Sequence, residues 1–233
     1  MRKGLRTLLI TLALSQSGFI FADSLKPFRA TYSAKLDGGL AISADATREL
    51  KQLEDGGWVF TSTADAVLAR QHEKSQFTYL DEQIHPLSYS YQREVLGRER
   101  RVKLAFNWKK QRVTTTVDDK PWHMQIPPGT QDKLSYQLQL RRDLAEGNTA
   151  LRYDVADGGL LSEYIFKVLG EESIETRAGT FNAIKVERVR EEGSGRTTYI
   201  WFAPDLEYLI VKLYQTESDG KEYELLLNQL ENR

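Results

Sequence analysis

The chain contains no cysteine in 233 residues, which removes disulfides, thiolate zinc sites, iron–sulfur clusters and a cysteine nucleophile at once. Histidine is nearly as scarce. His72, His85 and His123 are far apart in sequence, and none falls in a His-x-x-x-His or His-Glu-x-x-His spacing, so a structural role is favoured over a three-histidine metal site. We therefore expect no metal and no cofactor. A serine-hydrolase elbow is missing as well, because Gly193-Ser194-Gly195 lies among Arg190, Glu191, Glu192 and Arg196 and reads as a polar hairpin tip. Gly38-Gly39, Gly56-Gly57 and Gly158-Gly159 each join two β patterns rather than a strand and a helix, which excludes a phosphate-cradling loop. Neither sign of charge dominates: 32 Lys and Arg stand against 33 Asp and Glu. Nucleic acid, which needs concentrated positive charge, is not expected as a partner.

Long apolar runs are confined to the start of the chain. Arg2, Lys3 and Arg6 precede the apolar stretch Leu8–Leu14, and a less apolar segment then ends at Ala22. That order predicts a secretory signal peptide over residues 1–22. A membrane anchor is the alternative, but a span needs ~20 apolar residues, and Ser15, Gln16, Ser17 and Gly18 interrupt this one. With no cysteine to carry a lipid, the product is expected to be free, with no stable membrane insertion after cleavage. The remaining residues, 23–233, are expected to form a single β-rich domain. Removal of the leader leaves 29 basic against 33 acidic side chains. An exported protein without disulfides fits a bacterial periplasm better than a eukaryotic secretory route.

After the leader, Phe28, Ala30, Tyr32, Ala34 and Leu36 alternate with Arg29, Thr31, Ser33 and Lys35, the period of a strand with one buried face. Asp37-Gly38-Gly39 is turn chemistry, and Leu40, Ile42, Ala44 and Ala46 alternate again, so the two runs predict a hairpin. Further strands are expected at 58–64, 75–80, 87–95, 99–108, 112–117, 151–155, 161–169, 173–176, 181–190, 196–202, 208–217 and 222–230. His85-Pro86 is read as a turn. Between the two groups, Pro127-Pro128-Gly129 makes a loop, Thr130 and Asp132 offer helix caps, and Gly147-Asn148 a stop. The alternation of Leu134, Tyr136, Leu138 and Leu140 also allows a strand there, but Gln, Leu and Arg favour helix. The resulting fold class is all-β: an antiparallel meander of about a dozen strands curled into a barrel or half-barrel, with one helix near residues 130–145. A two-sheet sandwich is the alternative.

Several segments carry a family likeness. Asp132-Lys133-Leu134-Ser135-Tyr136-Gln137-Leu138, Leu169-Gly170-Glu171-Glu172, Thr176-Arg177-Ala178-Gly179-Thr180-Phe181 and Tyr199-Ile200-Trp201-Phe202-Ala203-Pro204-Asp205 resemble, in order and spacing, the bacterial domain-of-unknown-function family 3108. Ile210 departs from it, since the family carries a proline after the Tyr208-Leu209 position. The resemblance implies an exported β-rich protein of Gram-negative bacteria, and it brings no catalytic residues with it.

The acidic pairs Asp118-Asp119, Glu171-Glu172 and Glu191-Glu192 all flank turns, where adjacent acids are usually solvated rather than catalytic. More distinctive are two aromatic pairs at strand spacing, Tyr89 with Tyr91 and Tyr199 with Trp201, each sharing one strand face. Such rows fill a core or line a concave pocket. With Leu134 and Leu138 of the helix they are taken as candidate ligand-binding residues. Arg93, Arg98, Arg100 and Arg101, interleaved with Glu94 and Glu99, read as cross-strand pairing on a wet face. The expected function is non-catalytic: a periplasmic protein that binds an apolar or amphipathic envelope component, or a partner protein, in a concave β face. A periplasmic hydrolase with unidentified carboxylates is the alternative, and a strictly structural partner protein a third.

N-terminal sequencing of protein from the periplasmic fraction is expected to begin at Asp23, and an intact Met1 in the membrane pellet would establish the anchor instead. Chelators are expected to leave the melting temperature unchanged. A stoichiometric transition metal that survives dialysis and is lost on His72→Ala, His85→Ala or His123→Ala would refute this.

Overall fold

The computed structural model describes residues 25–37 and 42–232. The leader, its cleavage point and the Gly38-Gly39 turn lie outside the described residues. The first eight strands are β1 (Phe28–Asp37), β2 (Ile42–Gln52), β3 (Trp58–Ala66), β4 (Ala69–Leu80), β5 (Gln83–Val95), β6 (Arg98–Asn107), β7 (Arg112–Val117) and β8 (Lys120–Gln125). Helix α1 (Ser135–Ala145) follows, and then β9 (Arg152–Asp157), β10 (Leu160–Thr176), β11 (Gly179–Val189), β12 (Thr197–Ala203), β13 (Leu209–Thr216) and β14 (Glu222–Asn232). All fourteen strands make one sheet in the order β8-β7-β6-β5-β4-β3-β2-β1-β14-β13-β12-β11-β10-β9. Adjacent strands are antiparallel and consecutive in sequence except at the centre, where β1 meets β14, while the sequence neighbours β8 and β9 do not pair. The edges are β8 and β9, so the sheet is an up-and-down barrel left open between consecutive strands.

The helix shows that the sheet curls. From one end of the strand order, the Ile84 amide of β5 donates to Gln139 Oε1 at 3.1 Å, and Arg48 of β2 donates to Gln137. From the other end, Tyr136 stacks on Phe166 at 5.7 Å and meets the edge of Tyr164 at 5.2 Å, while Tyr153 donates to Asp143 at 2.5 Å. One helix can touch both ends only if the sheet wraps round it. Leu134 and Leu138 pack into a core with Leu50, Phe60, Phe77 and Tyr89, and Tyr136, Leu140 and Leu144 into a second with Phe166, Ile200 and Phe202. The helix is thus apolar on opposite flanks, as expected of a helix buried inside a concave sheet.

The link from β8 to the helix also covers the seam. Gln131 bridges β9 in parallel: its amide donates to Asp154 O at 2.8 Å and its carbonyl accepts from Ala156 N at 2.9 Å. Its side chain, 1% exposed, donates to the carbonyls of Ile84 and Gly129. This spends part of the hydrogen-bonding capacity that an open edge would present to another chain. At the end of the seam Trp122 of β8 lies against the β9–β10 turn. A Cβ at Gly159, whose φ is +100°, would sit 2.0 Å from the indole nitrogen, so only glycine allows this approach.

Three local expectations need correction. His85-Pro86 is no turn but part of β5, where a bulge opposite Gln76/Phe77 takes up the proline. The separate strands read at 161–169 and 173–176 are one strand, β10, bent by a bulge between Val168 and Gly170, whose φ is +137°. The edge strand β8, with Pro121 inside it and Trp122 and Met124 alternating along it, was not foreseen.

Asp132 moors the helix. Its carboxylate is fully buried and accepts from Ser75 Oγ at 2.5 Å and from the amides of Leu134 and Ser135 at 2.8 Å each, while its own amide donates to Ser135 Oγ. The first helical hydrogen bond, Tyr136 N to Asp132 O, starts here, which makes Asp132 the working cap. Burial pushes its carboxyl up to about 6, against the opposing pull of the hydrogen bonds from Ser75, Ser135 and Leu134. A carboxyl raised on folding stabilises the fold below its unfolded value near 3.8, and this contribution is lost as pH rises through about 6. Asp132→Asn keeps one acceptor for the Leu134 and Ser135 amides, turns a donor toward Ser75 Oγ and removes the titration, so its unfolding free energy is expected to vary less across pH 4–6 than wild type, by about 2 kcal/mol. Asp132→Ala leaves buried groups unpaired and is expected to cost about 3–5 kcal/mol. Urea unfolding at a series of pH values checks both.

Candidate functional site

The concave face divides into an apolar half beside the helix and a more polar half toward the hairpin tips, in which Ala46, Arg48, Val102 and Thr198 are also buried. Cross-strand registers on the wall from β2 to β6 define rows that run toward the hairpin tips at 67–68, 96–97 and 118–119. The row beside the helix is Leu50, Phe60, Ser75, Tyr89 and Leu104, all buried. One step toward the tips, the row is Arg48, Ser62, Glu73, Tyr91 and Val102, and after it Ala46, Ala64, Gln71 and Arg93. Side chains therefore become shorter or more polar away from the helix, and Ser62, Ala64, Glu73 and Tyr91 are half-buried. On the opposite wall the buried Val186 and Ile200 give way in the same direction to Arg188, Arg190 and Thr198. These two walls face each other across a space, termed the cleft, floored by the N-terminal end of α1, where Lys133 lies within electrostatic reach of Asp157, Glu73, Tyr164 and Tyr91.

The floor and walls are electrostatically linked. Lys133 pairs with Asp157 at 3.5 Å, and Tyr164 donates to the other oxygen of Asp157 at 3.2 Å. Glu73 accepts from Tyr89 at 2.6 Å and from Gln71 at 2.8 Å. Burial, reinforced by the charge of Glu73, pushes the Tyr89 hydroxyl far above the usual phenol value, and burial likewise raises Tyr91 and Tyr136. None of these phenols is a base near neutral pH.

The six sequence-predicted site residues all belong to one cluster, Tyr89, Leu134, Leu138 and Trp201 buried within it and Tyr91 and Tyr199 packed against it, but they occupy different strand faces. Leu134 and Leu138 are in the packed core, and the void beside Leu138, bounded by Phe28, Tyr32, Arg48 and Phe60, is only ≈ 20 Å³, about the room of one water. Tyr89 is buried under the helix, and Tyr91 lines the cleft. Tyr199 and Trp201 point the other way. Strand alternation turns Ile200 and Phe202 toward the helix and places Tyr199 and Trp201 on the opposite face of β12. There the Trp201 indole donates to Glu172 at 2.8 Å, and Lys185 lies 4.9 Å from the Tyr199 ring and 5.1 Å from that of Trp201. Hydrogen bonds from Lys185 and Trp201 hold the Glu172 carboxyl below its usual range. Trp201 is itself buried, in the same core cluster as Leu134 and Leu138, so this is a cation–aromatic brace over a packed indole.

Sequence reasoning missed Arg48, Arg188, Arg190, Tyr136 and Tyr164 as cleft residues. Arg48 and Arg188 occupy apolar-facing positions in strand alternation, a signal that a period-of-two reading passes over as interruption. His72, His85 and His123 sit on β4, β5 and β8; His85 meets the Trp108 ring edge-on and His123 pairs with Thr114 at 3.0 Å. No cluster of three His, Cys, Asp or Glu able to hold a metal occurs among the described residues. Among those residues, too, no helix is long and apolar enough to cross a membrane.

Among solved structures, the chain is similar to a β-barrel-like DUF1849 protein from Brucella abortus at 9% identity and a TM-score of 0.61, covering 90% of this chain and 98% of that one. A Bacteroides fragilis protein with a YmcC-like fold matches at 11% identity and a TM-score of 0.35, over 89% and 97% of the two chains. Pseudomonas aeruginosa MucB, solved with MucA, matches at 12% identity and a TM-score of 0.34, over 88% of this chain and 51% of that one. Only the first likeness is strong enough to carry the fold, and none carries a function. No curated protein matches the chain. The family model described as protein of unknown function, DUF3108, matches residues 28–227, and the chain belongs to that family.

Proposed function

We propose that this is an exported, non-catalytic binding protein of the bacterial cell envelope, which takes an apolar or amphipathic component into the cleft between its hairpin tips. The observation that carries the reading is the pairing of a helix-floored cleft with an apolar rim. Val67 is 99% exposed, and Leu68, Leu96 and Leu160 are exposed beside it at the same end of the sheet. The first two tips are tied together by the bond from Leu96 N to Leu68 O at 3.0 Å. Side chains of this kind are normally buried, and a rim of them round an opening is the arrangement expected where an amphipathic molecule or a partner surface is met. A catalytic reading lacks a comparable observation. Asp132, the one carboxyl pushed toward neutrality, has its oxygens committed to Ser75 and the helix amides.

The test fills the cleft from a half-buried wall position at the margin of the core. Wild type is expected to enhance the fluorescence of the neutral probe N-phenyl-1-naphthylamine. Ala64→Trp, on the half-buried wall, is expected to weaken that binding about tenfold while changing stability by no more than about 1 kcal/mol. A wild-type protein that never binds the probe, or a variant that binds it equally well, would show that the concave face holds no apolar ligand.

A further inference from the structure

The cleft carries positive charge that the protein does not neutralise. Arg48 is 5% exposed, and its Nε is buried without a hydrogen-bond partner, although its guanidinium donates to Gln137 and lies 5.0 Å above the Phe60 ring. Arg188 lies 3.2 Å over the ring of Tyr164, and Arg190 donates to Thr198 at 3.1 Å; each also has a buried Nε with no partner. None of the three pairs with a carboxylate among the described residues. The acids that face the cleft are committed elsewhere, Glu73 to Tyr89 and Gln71 and Asp157 to Lys133 and Tyr164, while Arg196 is held by Glu217. Burial and the neighbouring Arg188 and Arg196 lower Arg190 to about 10, a direction that records uncompensated like charge.

Buried cations without counter-charge are costly unless something supplies it. Guanidinium groups suit planar or tetrahedral oxyanions, which they bind through paired N–H donors. From this arrangement we infer that Arg48, Arg188 and Arg190 form the seat of an anionic group, a carboxylate or phosphate, on the ligand of the cleft. The group sits beside Tyr164 at the helix end of the cleft, and the apolar part of the molecule follows the half-buried Ala64 toward the rim. This rests on the cleft reading proposed above and adds the charge of the ligand. The same oxyanion chemistry could come from an amphiphile head group or from free phosphate.

Calorimetric titration of the purified protein with dodecyl phosphate, the neutral 1-O-dodecylglycerol and inorganic phosphate separates these cases. Dodecyl phosphate is expected to bind about tenfold or more tighter than the neutral amphiphile. Arg188→Gln with Arg190→Gln, at half-buried positions, is expected to abolish that preference and leave the neutral affinity in place, and the Lys/Lys pair to keep part of it. Equal binding of the anionic and neutral amphiphiles would overturn the arginine seat and leave the cleft standing, whereas binding of neither would remove both. Inorganic phosphate binding as tightly as dodecyl phosphate would confirm the seat and assign it to a free anion. If the double variant does not fold, the wild-type preference is read at low and high salt, and a ratio that salt leaves unchanged overturns the inference.

Discussion

A carboxylate taken wholly out of water must be met by donors, and Asp132 is met by three, one from the sheet and two from the helix. That single junction sets where α1 begins and which strand it lies against. Through it, Leu134 and Leu138 enter one core and Tyr136, Leu140 and Leu144 the other. A fourteen-strand antiparallel sheet without this insert would have an apolar concave face and nothing to cover it. The helix covers only half of that face, because eleven residues span about 16 Å, and the uncovered remainder is the cleft.

The open seam follows from the same geometry. Strands β8 and β9 cannot pair while the chain between them dives into the interior, so the edge is managed by the diving segment itself through Gln131 and by Trp122 against Gly159. A barrel closed by a β8–β9 hairpin would have no helix to fill it. The choice between closure and a plug is made by residues 126–134, which carry the Pro127-Pro128-Gly129 break that ends β8 and the Asp132 cap that starts the helix.

These features were legible in the sequence to different depths. Period-of-two runs such as Phe28, Ala30 and Tyr32 located most strands because their faces differ in burial, and the glycine turns marked where they end. Strand β8 escaped although Trp122, Met124 and Ile126 keep a period of two, because the run is short, contains Pro121 and ends at the Pro127-Pro128-Gly129 loop. The bends at Pro86 and Gly170 were read as breaks, since a bulge and a turn share the same residues. Ile210 lies in β13 with its carbonyl accepting from Tyr32 at 2.9 Å, an interior rather than an edge position. The aromatic pairs were recognised as pairs, but local alternation cannot say which face of a curled sheet is concave. Tyr91 fell on one side and Trp201 on the other for reasons that exist only once β12 is placed between β11 and β13.

The same limit explains why the arginines went unnoticed. In a strand pattern, Arg48 between Ala46 and Leu50 is an interruption, and Arg188 after Val186 looks like the end of the buried run. Only the fold shows that both interruptions face the same interior, where water is scarce and a guanidinium is expensive to leave unpaired. A sequence retains such residues against the hydrophobic pattern when they serve something other than packing. The change from Leu50 to Arg48 to Ala46 along one strand face, matched by Ile200 to Thr198 on the other wall, grades the interior from bulky and apolar to charged to small. An amphiphile presents the complementary order when it enters head first: its polar group comes to rest at the charged rows, and its chain is left against small side chains and the apolar rim. Entry through the tips needs no opening of the helix-filled half, so the part of the fold that is most tightly packed can stay rigid while the cleft exchanges its contents.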